Sequence, residues 1–136
     1  MLKNRLSRGY AALGNLCQIN WSITSTPVVI SHAGMMGHSL HEINDLMDLL
    51  MRILSTHNNV IVNISALDLD ALKLILQKID RDRIVFGSDA FYFPQWTAAV
   101  KLFRALEETR SNVEEAFIKI AGDNPAKFLL QKEVRK

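Results

Sequence analysis

A chain of 136 residues, 49% of them hydrophobic and 22% charged, has the length of one ordinary domain and enough apolar material for a core. Its net charge of +2 is scattered along the chain, and Trp21, Trp96, Tyr10 and Tyr92 do not interleave with the basic residues, which excludes a nucleic-acid footprint. A lone cysteine, Cys17, excludes an internal disulfide and points to a reducing, cytoplasmic setting, and no apolar run is long enough to span a bilayer.

Residues 1–41 contain no Asp or Glu, and Lys3, Arg5 and Arg8 sit among Leu2, Leu6, Tyr10 and Leu13. That pattern suits a basic amphipathic helix over residues 3–20, interrupted by Gly9 and Gly14, and it also suits a mitochondrial targeting peptide. Thr26-Pro27 breaks the helical spacing. Val28-Val29-Ile30 then reads as a first strand, ending in Ser31-His32-Ala33-Gly34. Ser39 followed three places later by Glu42 is a capping box. It opens a helix whose stripe is Ile43, Leu46, Met47, Leu50, Ile53 and Leu54.

The run from Val60 to Leu67 is β-branched almost throughout, as a strand buried on both faces requires. Asp68 caps a helix carrying Leu69, Leu72, Ile75, Leu76 and Ile79. Arg83 to Ala90 is a third strand, ending in Gly87-Ser88-Asp89. A helix after Pro94 presents Trp96, Ala99, Val100, Phe103 and Leu106 inward, and Ser111 to Glu114 repeats the capping-box signature. Gly122 stops the helix begun there, and Asn124-Pro125 caps a last helix through about Leu130. Strands alternating with helices, with no linker or repeat between them, make residues 1–136 one α/β domain with a parallel sheet.

Each strand runs from an apolar body into polar residues: Ser31-His32, Asn63-Ile64-Ser65, and Ser88-Asp89. In a parallel sheet those ends share one rim, where ligands bind. Side-chain alternation allows a register in which His32, Ser65 and Asp89 aim at a common centre. Imidazole with carboxylate is the pairing that holds zinc-like metals or relays protons. Each residue also has a structural alternative: Asp89 as a turn or cap residue, His32 as a hydrogen-bonded core histidine. His38 and His41 read as loop and first-turn surface positions, His57 as a residue suited to a helix C-terminus, and Met35-Met36 as loop or core packing. The loop from Gly34 to Gly37 lacks the spacing and the lysine of a phosphate-binding loop.

Residues 28–34, 59–65, 82–89 and 122–129, taken in this order and spacing, resemble the last part of the amidohydrolase superfamily. The nearest branch is the amidohydrolase-related one, of metal-dependent hydrolases and non-oxidative decarboxylases acting on carboxylated rings. The resemblance implies a (β/α)₈ TIM barrel whose sixth, seventh and eighth strands are the three read here. It implies that Asp89 is a metal ligand that also handles the proton of the attacking water, and that His32 binds a second metal or orients and deprotonates that water. The implied cofactor is a divalent metal, zinc by expectation, and the implied substrate a small carboxylated molecule.

Ser65 and Asn63 match no catalytic position of the family and are expected at the mouth of the pocket. The family's His-x-His pair is absent from this sequence, and a full barrel takes about 250 residues. One His and one Asp leave a catalytic zinc site short of its third protein ligand. The expectation is an incomplete barrel, inactive as an isolated chain, whose two outer strands expose free edges and whose inner face is covered by self-association or a complementary N-terminal half-barrel. The alternative is an open, sandwich-like sheet with the N-terminal helix swung across it. The reading from another class is a non-catalytic half-barrel interaction module that has lost the metal site.

Overall fold

The computed structural model describes residues 13–110 and 112–130. Three parallel strands, β1 (Val28–Ile30), β2 (Val60–Asn63) and β3 (Ile84–Val85), pair in the order β1-β2-β3. Ile30, Val62 and Ile84 stand level across the sheet. Parallel neighbours need a crossover of a dozen or more residues. Helix α2 (Leu40–Thr56) lies between β1 and β2, and α3 (Leu69–Lys78) between β2 and β3. In β2, Val60, Ile61 and Val62 are all buried, because this strand has neighbours on both edges and helices on its faces. The continuous β-branched run predicted that burial, but over residues 60–67. The strand stops at Asn63, whose side chain accepts from Ser65 N and turns the chain out of the sheet. In β1, which has one neighbour, Val29 is half exposed.

The helix starts follow their caps. Ser39 and Glu42 close both bonds of the capping box on α2, and Asp68 Oδ1 accepts from the Ala71 N–H at 2.8 Å on α3. The apolar stripe of α2 (Ile43, Met47, Leu50, Ile53 and Leu54) is buried, as its spacing predicted. Of the expected N-terminal helix, the described part is a single turn, α1 (Leu13–Leu16), and residues 1–12 lie outside the described residues.

From the third strand onward several expectations are corrected. The third strand covers two residues rather than eight, because after Val85 the chain pairs elsewhere. Helix α4 (Gln95–Glu108) buries Leu102, Ala105 and Leu106, not Trp96 and Val100, which are 69% and 56% exposed. Its apolar residues spread over more than one face, and the packing against α3 and α5 selects the Leu102 side. Phe103 is also partly exposed and stacks on Phe117 of α5 (Val113–Ile118), with ring centroids 4.1 Å apart. The cap of α5 is Asn112, whose side chain accepts from Glu115 N; Ser111 lies outside the described residues.

Gly122 does not end a helix. The chain continues as a π turn over residues 119–123 directly into α6 (Asn124–Leu130), with Asn124 itself helical. Asn124 is therefore not a cap, and its side chain is spent elsewhere.

That π turn closes an edge expected to be open. In a π turn the backbone bonds reach one residue further, which leaves carbonyls out of the usual helical ladder. Here the Ile120 carbonyl accepts the Phe86 N–H at 2.9 Å. The buried Asn124 amide donates to the carbonyls of Arg81 and Ile84, each at 2.6 Å. The outer side of β3 is thus bonded within the chain, and among the described residues the free edge is that of β1. Two more side chains bind the layers together. Arg83 donates to the carbonyls of Val60 and His57, and Asn59 Nδ2 donates to Trp21 O and Thr24 O, both at 2.9 Å.

Surface ion pairs give the fold an acid sensitivity. The hydrogen bond from Lys119 holds the Asp82 carboxyl below its usual 3.8, and those from Lys73 and Arg104 hold Glu108 below its usual 4.5. A carboxylate with a depressed folded pKa contributes stability above its unfolded pKa and loses it as pH falls through the folded one. Stability is therefore expected to decline below about pH 4, gently, since these groups are exposed. Thermal melts of Asp82→Asn across that window should show a shallower decline than the wild type; parallel curves would remove the pair from the account.

Candidate functional site at the strand ends

All three strands leave the sheet through backbone that side chains rarely adopt. His32 (φ 54°), Ala66 (φ 54°) and Asp89 (φ 54°) lie in the left-handed region, one past each strand. At β1 the turn extends through Ala33 (φ 50°) and Gly34 (φ 71°) and is closed by Met35 N–H to His32 O at 2.9 Å. Left-handed backbone costs a non-glycine residue roughly 1–2 kcal/mol, and such positions gather at functional sites. Ala33 is fully buried and Gly34 has no room for a side chain, since a Cβ there would meet Leu13 Cδ2 and Cγ at 2.6 Å. Gly34→Ala should destabilise the protein by about 2 kcal/mol through that overlap and the positive φ. A urea-unfolding midpoint equal to the wild type's would contradict this.

The left-handed turn lifts the His32 ring out of the strand's alternation and sets it against the end of β2. Its Nδ1 lies 3.0 Å from Ser65 O and 2.9 Å from Ser65 Oγ. A carbonyl oxygen only accepts, so the contact with Ser65 O is a hydrogen bond in the tautomer that carries its proton on Nδ1, in which Nε2 keeps its lone pair. Among the described residues Nε2 has no protein hydrogen bond. Ser65 is buried, and its own N–H donates to Asn63 Oδ1 at 2.7 Å in an Asx turn. Asn-x-Ser at a strand end carries that turn signal; what the spacing omits is its partner, a histidine 33 residues earlier.

Of the three residues predicted to share a centre, the structure joins His32 and Ser65 directly. Asp89 stands at the third strand end, half-buried, with its carbonyl accepting from Tyr92 N at 2.9 Å and Phe93 N at 3.1 Å. It lies two strands from β1, which at ordinary sheet spacing is about 10 Å. The imidazole and this carboxylate therefore follow different strands, and among the described residues no hydrogen bond joins them.

The other histidines fall largely as predicted. His41 is exposed in the first turn of α2, and His57 is its C-cap, with its ring nitrogen 3.0 Å from Ser22 Oγ. His38 is more buried than a loop position suggests, with Nδ1 3.7 Å from Glu42 Oε2, too far for a hydrogen bond. Met35 is buried and Met36 half exposed. His32 and His38 line one mainly apolar cavity of about 510 Å³ with Leu16, Trp21, Val29 and Met36, along the free edge of β1.

A resident divalent cation requires more donors than this rim offers. Among the described residues no three His, Cys, Asp or Glu side chains come together as a metal site. A catalytic zinc takes three protein ligands, and His32 and Asp89 are two. These residues do not fit the cation by themselves.

Comparison with the curated proteins and with the solved structures returns no match. The family model described as amidohydrolase matches residues 20–130, which takes in all three strands and every helix from α2 onward. That span includes the His32 turn, the Asn63-Ser65 turn and the Gly87-Ser88-Asp89 strand end, and on it the chain belongs to the amidohydrolase family.

Proposed function

We propose that this chain forms the sixth-to-eighth-strand part of an amidohydrolase pocket and works on a small carboxylated substrate by hydrolysis or decarboxylation. The single observation that supports this most is the His32 turn: a left-handed strand end that sets Nδ1 3.0 Å from Ser65 O and leaves Nε2, among the described residues, without a protein hydrogen bond. In a hydrolysis, Nε2 takes the proton of the attacking water and returns it to the leaving group. Asp89, across the rim, holds a second proton position or orients the substrate's polar end. The family implies a divalent cation, zinc by expectation, and His32 and Asp89 alone supply too few donors to hold it. The remaining ligands belong to a complementary half-barrel or a second copy, and the free edge of β1 is where such a partner adds a strand. A cytoplasmic setting accords with the single half-buried thiol of Cys17; among the described residues no helix is long and apolar enough to cross a membrane.

The test is turnover of a panel of small carboxylated amides, esters and ring carboxylates, with zinc or manganese supplied, by the chain alone and mixed with a complementary half-barrel. His32→Ala and Asp89→Asn should each lower kcat by about 10²-fold in protein that still folds. Activity that survives both substitutions would dispose of the assignment. A chain inactive under every condition would favour the non-catalytic module.

A further inference from the structure

Asn63, Ser65 and Gly87 share no role in the family-based reading, yet they form one chain of contacts across the three strand ends. Gly87, two residues past β3, lies flat against the Asn63 side chain: a Cβ there would stand 2.7 Å from Asn63 Oδ1 and 2.9 Å from its Cγ. Asn63 Oδ1 in turn accepts from Ser65 N at 2.7 Å, and Ser65 presents both its carbonyl and its hydroxyl to His32 Nδ1. Ala66, in the left-handed region, turns the chain immediately after that carbonyl.

We propose that Gly87, Asn63 and Ser65 are positioning residues that set the tautomer of His32, keeping the proton on Nδ1 and the lone pair on Nε2. The imidazole has two neutral tautomers of similar energy, and the hydrogen bond at one nitrogen decides what the other can do. With the Ser65 carbonyl, which can only accept, 3.0 Å from Nδ1, and a Ser65 hydroxyl able to accept beside it, the arrangement selects the Nδ1–H form. The selection originates on β3, since Asn63 keeps its place only while residue 87 lacks a side chain. The strand that carries Asp89 thereby also shapes the His32 end of the rim. Asn63 and Gly87 reach no reacting atom themselves.

The proposal rests on His32 as the proton-handling residue, but its test needs neither substrate nor metal. The full chain, with ¹⁵N-labelled histidine, is examined by long-range imidazole ¹H–¹⁵N correlation at a pH where the rings are neutral. His32 should show a protonated Nδ1 and an unprotonated Nε2. Asn63→Ala and Gly87→Ala should convert His32 to a mixture of tautomers and leave His57, bonded to Ser22, unchanged. Asn63→Asp keeps the acceptor oxygen and should restore the wild-type pattern, which a loss of packing alone would not do. A wild-type His32 protonated on Nε2 overturns the proposal even if a variant fails to fold. So does a Gly87→Ala or Asn63→Ala protein with the wild-type pattern. The predicted tautomer in a protein with no turnover even when metal and a complementary half-barrel are supplied would overturn the proposed function and leave this positioning network standing.

Discussion

Asn124→Asp is expected to unfold the protein at a urea concentration far below the wild-type midpoint, with a loss of about 3–5 kcal/mol. The native amide sits almost wholly buried, 3% exposed, between the carbonyls of Arg81 and Ile84. Both partners are acceptors, so the position demands a donor. An aspartate of the same shape brings a third acceptor, or a charge with no counterion, into that place. Asn124→Ala removes the donor without adding charge and should cost less, about 2 kcal/mol, from two carbonyls left unpaired. The order of the two midpoints carries the argument: if the Asp variant were as stable as the Ala variant, the amide would not be a donor. Loss of this strap would also free the outer side of β3, so the Asp variant should self-associate more readily on heating.

Arg83→Met should cost about 3 kcal/mol, the second large effect. The guanidinium gathers the end of α2 and the start of β2 on one side chain. Nε donates to Val60 O at 2.7 Å, Nη1 to Leu54 O at 3.3 Å, and Nη2 to His57 O at 2.6 Å, with a further short bond to Val60 O. Burial pushes its pKa down, and the charge of Asp80 opposes that. The cation faces the carbonyl end of α2, where positive charge is favoured. Methionine preserves the apolar stem and leaves three carbonyls without a charged donor. Arg83→Lys keeps the charge but not the fork, and should recover only part of the loss. Equal unfolding midpoints for Arg83→Met and wild type would show that water replaces the guanidinium at no cost.

Much of the architecture was legible from local chemistry. The capping box at Ser39, the cap at Asp68 and the apolar stripe of α2 each depend on residues within a turn or two, and each formed as read. The β-branched run at residues 60–62 became the strand buried on both faces, because composition alone encodes that environment. The face of α4 was not legible. Its apolar residues outnumber one stripe, and only the positions of α3 and α5 decide which ones are covered. Asn124-Pro125 reads locally as a cap, and the π turn before it changed that by making the segment continuous helix.

The candidate site divides the same way. By itself the sequence determined that polar residues follow three apolar strands, and hence that His32, Ser65 and Asp89 end on one rim of a parallel sheet. Periodicity and strand order suffice for that, since they are short-range properties of the chain. Only the tertiary structure decided that His32 bonds to Ser65, that Asn124 closes the edge of β3, and that among the described residues β1 has one paired edge. The left-handed residues after each strand break the alternation on which any prediction of side-chain direction depends. Once it is broken, direction is set by partners tens of residues away, which no local pattern records.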